Sequence, residues 1–153
     1  MSFDFETKIS DKFINEKTVV INPKMQNILK ERGFGESNKE NLILDSFETL
    51  YLLYNNKLEL KKINKVIGFD ELIQKYIQKN DDVLIRFLLY RDLRTKGYVV
   101  KDGFGFGSDF RVYERGNYGL KDAKFVIFAF NEGTQQKIGQ LYKNIEEITN
   151  MGK

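Results

Sequence analysis

The hydrophobic period of the chain changes at Gly97. Before it, apolar residues recur at helical spacing. FDELIQKYIQK places Phe69, Leu72, Ile73, Tyr76 and Ile77 on one stripe. DDVLIRFLLYRDLRTKG continues as a second helix, with Asp81 and Asp82 complementing its N-terminal dipole and Gly97 ending it. After Gly97, YVVK, DFRVYE and AKFVIFAF are rich in β-branched and aromatic residues and read as strands. AKFVIFAF is nearly all apolar, which predicts a central strand covered on both faces. The switch makes this an α/β (α+β) chain in two parts.

The first part carries its own signals. EKTVVIN reads as a short strand through Val19, Val20 and Ile21. PKMQNILKERG reads as a helix with Pro23 in its first turn and Gly33 at its end. Asp45 and Glu48 have capping-box spacing ahead of a helix that aligns Phe47, Leu50, Tyr51 and Tyr54. KLELKK alternates as a strand would. The pattern predicts a small, mostly helical N-terminal domain over residues 1–80 and a strand-rich C-terminal domain over 81–153. A last helix, capped by Thr134, spaces Ile138, Leu141, Tyr142, Ile145 and Ile148 at helical intervals.

Composition narrows the chemistry. At 153 residues, 41% hydrophobic and 14% aromatic, the chain can bury a real core. It has no cysteine, which excludes disulfides, zinc–thiolate sites and thiol nucleophiles and fits a cytoplasmic protein. It has no histidine, so no Ser–His–Asp triad and no histidine metal site can form. No metal or other cofactor is expected. Acid–base chemistry near neutral pH would need Asp, Glu, Lys or Tyr. The net charge of +3 is mild for a free-standing nucleic-acid binder. No apolar run is long enough to span a membrane, and MSFDFETKIS lacks the basic and apolar regions of a signal peptide.

GFGFGSDF invites a phosphate-cradle reading. A phosphate loop needs its glycines to open a helix, whose free N–H groups meet the phosphate. Here they lead into the strand DFRVYE, and no G-K-[ST] follows. A glycine-rich hairpin turn explains the same residues more simply. Within DFRVY, Phe110 and Val112 point one way, and Arg111 and Tyr113 the other. Arg111 and Tyr113 side by side could pair with or stack on RNA. The plainer reading is a solvated charge beside a half-buried strand aromatic. Arg111 and Arg115 are the RNA-contact candidates.

The stretch from Tyr90 through Tyr113 reads Y-R-D-L-R-x-x-G-Y-x-V-x-x-G-x-x-F-G-x-D-F-x-V-Y. It resembles the core motif of the archaeal tRNA-splicing endonucleases. LKERGFG and LILDSFETLYLLYNNKLEL resemble that family's N-terminal domain, so the likeness covers roughly residues 18–153. The resemblance implies a nuclease-like C-terminal domain with a mixed sheet. It also implies metal-independent cleavage of precursor tRNA at bulge–helix–bulge junctions, leaving 2′,3′-cyclic phosphate ends. In the family a tyrosine takes the proton of the 2′-hydroxyl, a histidine supplies one to the leaving oxygen, and a lysine clamps the phosphate charge. By motif, the tyrosine is Tyr113 and the lysine is Lys153. The histidine position falls on Asp122 or a neighbour, and an ordinary aspartate is ionised at neutral pH. A family arginine that stacks on a bulge base falls near Glu146, whose charge would repel RNA.

A preserved fold with a broken active site implies a structural, non-catalytic subunit. Its partner would be a catalytic endonuclease subunit, in a heterotetramer acting on precursor tRNA. Family members continue past the lysine with strands that form the subunit interface. This sequence stops before them; a missing terminal strand would leave an open sheet edge, a natural place for a partner's strand, and strengthens the expectation of a partner. Two alternatives stay open. One is an active endonuclease using Tyr113 and Lys153, with Asp122 or a partner's group as the acid. The other is an RNA-binding or purely structural protein that has drifted from the family.

Overall fold

The computed structural model describes residues 9–14, 17–102, 110–116 and 118–127, with side chains described from residue 17 onward. The chain divides into two compact units, 1–91 and 92–153, with the division falling inside a helix.

The first unit is built on a six-stranded sheet. Its strands are β1 (Ile9–Ile14), β2 (Lys17–Val20), β3 (Glu36–Asn38), β4 (Asn41–Leu44), β5 (Leu58–Lys62) and β6 (Lys65–Ile67). They lie in the order β3-β4-β2-β1-β5-β6. Every pairing is antiparallel except β1 with β5, where Ile9 lies opposite Leu58 and Asp11 opposite Leu60. The expectation of a mostly helical N-terminal part is therefore corrected. β2 and β5 match EKTVVIN and KLELKK, but β1, β3, β4 and β6 were not legible as strands. Their sequences, ISDKFI, ESN, NLIL and KVI, are too short or too polar to show a period, and pairing with neighbours decides their conformation.

Three helices of this unit follow local rules. α1 (Pro23–Glu31) starts at Asn22, whose side-chain oxygen accepts from the amides of Lys24 and Met25 at 2.9 and 3.3 Å. It ends where Gly33, at φ 75°, lets the Phe34 amide reach back to the Leu29 carbonyl at 2.9 Å. α2 (Ser46–Tyr54) has the expected capping box, with Glu48 N donating to Asp45 and Asp45 N donating to Glu48. The second Glu48 oxygen accepts from Gly35 N at 2.8 Å, so this buried carboxylate also fixes the chain after α1. Buried Gln26 of α1 donates to the Val20 and Glu40 carbonyls, both at 2.8 Å, and ties α1 to β2 and to the β3–β4 turn.

α3 (Phe69–Lys79) buries Leu72, Ile73 and Tyr76, as its stripe predicts. α4 (Val83–Thr95) begins in the first unit. There Phe87 stacks into an aromatic cluster with Tyr54 and Phe69, at centroid distances of 5.9 and 5.2 Å. One turn on, Tyr90 meets Tyr51 edge to face at 5.8 Å and Phe47 at 5.9 Å.

The second unit begins with the end of α4, where the Tyr98 amide bonds back to Leu93 across Gly97 at φ 99°. Then come β7 (Val99–Asp102), β8 (Phe110–Tyr113) and β9 (Phe125–Ile127), in the order β7-β8-β9. Among the described residues both pairings are antiparallel, so the mixed sheet expected here is not seen. β8 occupies the centre, with Phe110 1% and Val112 0% exposed. β9, expected to be central and covered on both faces, pairs only with β8 among the described residues, and Phe125 is 44% exposed. The glycine-rich segment 103–109 and the last expected helix lie outside the described residues. No helix among the described residues is long and apolar enough to cross a membrane.

Candidate functional site

The β7–β8 hairpin presents the candidate site. Its register sets Val99 opposite Tyr113 and Lys101 opposite Arg111. Alternation therefore puts Lys101, Arg111 and Tyr113 on one face, and Val100, Phe110 and Val112 on the other. The strand that follows the glycines is thus real, and its pairing fits a hairpin rather than a phosphate loop opening a helix.

Tyr113 is buried, at 6% exposure, not half-exposed as the plainer reading held. Arg111 explains part of this. Its Nε donates to the Asp102 carbonyl at 2.6 Å, which pins the guanidinium along the hairpin. Its Nη1 donates to the Tyr113 phenol oxygen at 3.3 Å, and its Cζ lies 6.0 Å from the Tyr113 ring centroid. Arg111 is therefore not a plain solvated charge. Tyr118, in the turn after β8, meets Tyr113 edge to face at 5.0 Å. The Lys101 ammonium sits 5.0 Å from the centroid of Tyr118, and Lys101 is 3% exposed. The result is a chain of contacts from Lys101 through Tyr118 and Tyr113 to Arg111.

Lys101 and Tyr118 were not singled out from the sequence. Lys101 reads as the polar end of YVVK, and Tyr118 as one aromatic of a turn. Only the fold brings the Tyr118 ring to the lysine, and spacing carries no signal of that.

The remaining expected residues are Asp122, Arg115, Lys153 and Glu146. Asp122 is exposed in the segment before β9, and Arg115 is exposed in the turn at Gly116. Lys153 and Glu146 lie outside the described residues. At the rim, Lys124 donates to Glu114 at 2.5 Å. That hydrogen bond, helped by the lysine's charge, lowers the Glu114 carboxyl below its ordinary value and raises the Lys124 ammonium above its own. Among the described residues, no three His, Cys, Asp or Glu side chains gather as metal ligands.

Chemically, this face offers two cations and two phenols. Arg111 is placed to steady a negative charge on the Tyr113 oxygen. The chain has no imidazole to add to it.

Comparison with known proteins agrees on one family. Residues 83–153 match the tRNA intron endonuclease, catalytic C-terminal domain, and residues 11–73 match the tRNA intron endonuclease, N-terminal domain. The chain is 33% identical over 134 residues to a tRNA-splicing endonuclease of Methanococcus vannielii, covering 87% of this chain and 76% of that protein. It is 37% identical over 117 residues to one of Thermococcus onnurineus, covering 76% and 66%. A third, from Sulfurisphaera tokodaii, is 36% identical over 108 residues, covering 71% and 59%.

Proposed function

From the premise that this chain belongs to the tRNA intron endonuclease family, we propose that it is a structural subunit of a heteromeric tRNA-splicing endonuclease. It positions a catalytic partner subunit, in a heterotetramer, on the bulge–helix–bulge of precursor tRNA. The observation that carries this reading is the absence of histidine from all 153 residues. By motif the position of the family's proton donor falls on Asp122 or a neighbour, and Asp122 is an exposed carboxylate. Delivering a proton to the leaving 5′-oxygen needs a group still protonated near neutral pH, the part that an imidazole plays in the family. The burial of Tyr113 supports the same reading. A base must lie within hydrogen-bond reach of the ribose hydroxyl, whereas this phenol oxygen faces Arg111 on a side chain 6% exposed.

The test is metal-free cleavage of a bulge–helix–bulge RNA by the chain alone, by a catalytic subunit alone and by both. The chain alone cleaves nothing. The mixture cleaves, and Tyr113→Phe in this chain leaves its rate within about twofold. Robust cleavage by the isolated chain would sink the proposal.

One contact favours the second reading, an active subunit. Arg111 Nη1, 3.3 Å from the Tyr113 oxygen, would stabilise the phenolate that a tyrosine base requires. On that reading Tyr113→Phe in the complex costs roughly 10²–10⁴-fold, the usual worth of a general base.

A further inference from the structure

Three unfavourable features meet at the tip of the β5–β6 hairpin. Ile63, first of the two turn residues, has φ of 57°, a left-handed conformation that β-branched side chains rarely adopt. Its side chain is 89% exposed, so packing does not offset the strain. Lys62 and Lys65 are direct cross-strand partners, and like charges so placed repel. Glu71 of α3 pairs with the Lys65 ammonium at 2.6 Å. Lys39 and Asn56 of this unit also have positive φ, at 56° and 59°, but neither is β-branched. Left-handed strain on a β-branched residue at an exposed tip points to a role other than stability.

Beside the tip lies an open pocket of about 540 Å³ between the hairpin and α3. Buried Ile67 and Leu72 line it together with Ile63, while Lys62, Lys65 and Lys75 add their ammonium groups. The charge is concentrated here. Residues 57–66 hold Lys57, Lys61, Lys62 and Lys65 against the single Glu59, a net +3 that equals the net charge of the whole chain.

We propose that this hairpin tip is a second contact for precursor tRNA. It takes backbone phosphates on Lys62, Lys65 and Lys75 and packs the adjoining ribose or base against Ile63 and the aliphatic floor. The inference rests on the reading of the chain as a subunit acting on precursor tRNA, and adds a contact on the N-terminal unit. Lysines act as point charges that position a phosphate backbone without reading sequence. The pocket has no arginine and no aromatic among its lining residues, so it fixes register rather than selects bases. A carboxylate-bearing protein segment would meet the same lysines. RNA is favoured because Lys62 and Lys65, paired across the hairpin, and Lys75 of α3 gather three ammonium groups at one pocket against the single carboxylate Glu71, which suits adjacent phosphates.

The experiment is fluorescence anisotropy of a labelled, intron-containing precursor-tRNA transcript with the full chain, over a series of salt concentrations. Lys62→Gln with Lys65→Gln weakens binding roughly tenfold. It also lowers the slope of log K against log salt by about 1.4, two single-strand phosphates at about 0.7 each. Ile63→Gly weakens binding severalfold at unchanged slope, and its melting temperature stays level or rises because the strain is gone. A control, Lys24→Gln with Lys30→Gln on α1, stays within about twofold of wild type. No RNA binding by the wild-type chain overturns the proposal. So does a double variant indistinguishable from the control, or an Ile63→Gly variant of unchanged affinity. A double variant that keeps RNA but loses a poly-glutamate probe also overturns it, in favour of a protein segment. The readout is binding by this chain, so it stands or falls whichever way the cleavage assays come out.

Discussion

Both carboxylate oxygens of Glu48 are committed to backbone amides, one at Asp45 and one at Gly35. The first bond is written in the sequence as a capping box. The second is not, because it joins residues thirteen apart through a loop whose path only the fold decides. The same limit governs the candidate site. Tyr113 and Arg111 were legible as a pair on one strand face, whereas Lys101 and Tyr118 join them only through the turn that follows. Near them, the Glu114–Lys124 pair makes a testable electrostatic statement. Glu114 is held below the ordinary carboxyl value of 4.5, first by its hydrogen bond from Lys124 and then by that lysine's charge. Its contribution is present above the unfolded carboxyl's pKa and is lost as pH falls through the lower folded value. Lys124 is raised above 10.5, first by the same hydrogen bond, so its contribution is present below the unfolded amine's pKa and is lost as pH rises through the higher folded value. The pair therefore holds across the neutral range. Nuclear magnetic resonance titration of the Glu114 carboxyl should give a midpoint below that of a free glutamate, and Lys124→Met should move it upward. An unmoved midpoint would show that the lysine is not the cause. Both groups are exposed, so the effect on overall stability is small.

Helices were legible as elements because each carries a start, a stripe and a stop. α2 has its Asp45–Glu48 box, and α3 its Leu72, Ile73 and Tyr76 face. The short strands carry none of these. β3 is Glu-Ser-Asn with all three residues exposed, and it exists because β4 offers it a ladder. NLIL, which forms β4, runs straight into the helix after it, and a four-residue apolar run has no period of its own. The mostly helical expectation failed for that reason. Where the helices meet, the structure makes a sharper statement than the sequence. Phe87 of α4 is 1% exposed and contacts both Tyr54 of α2 and Phe69 of α3. Phe87→Ala removes the ring that joins three helices and leaves a cavity that rigid neighbours cannot fill. It should cost about 3–5 kcal/mol, read as a lower urea midpoint at an unchanged slope. A loss below about 1 kcal/mol would mean that the cluster closes around the gap.

At the scale of the whole molecule, the proposed structural role has two separable grounds, a missing proton donor and a closed site. The two causes predict different responses to restoring the donor. Asp122→His places an imidazole, ordinarily titrating near neutrality, at the exposed position before β9. If the rest of the site were poised, the isolated chain would then cleave precursor tRNA, with a pH profile that falls as the imidazole loses its proton. The geometry argues otherwise. Tyr113 is buried, its oxygen is engaged by Arg111, and its ring is covered at the edge by Tyr118. A general base in that position cannot reach a ribose hydroxyl unless Tyr118 moves away. Asp122→His alone should therefore stay inactive. Adding Tyr118→Ala opens the ring edge of Tyr113, and only that pair should show weak cleavage, abolished by a further Tyr113→Phe. Cleavage by Asp122→His alone would make the missing histidine the whole difference between this chain and an active endonuclease, and would move the catalytic reading ahead of the structural one.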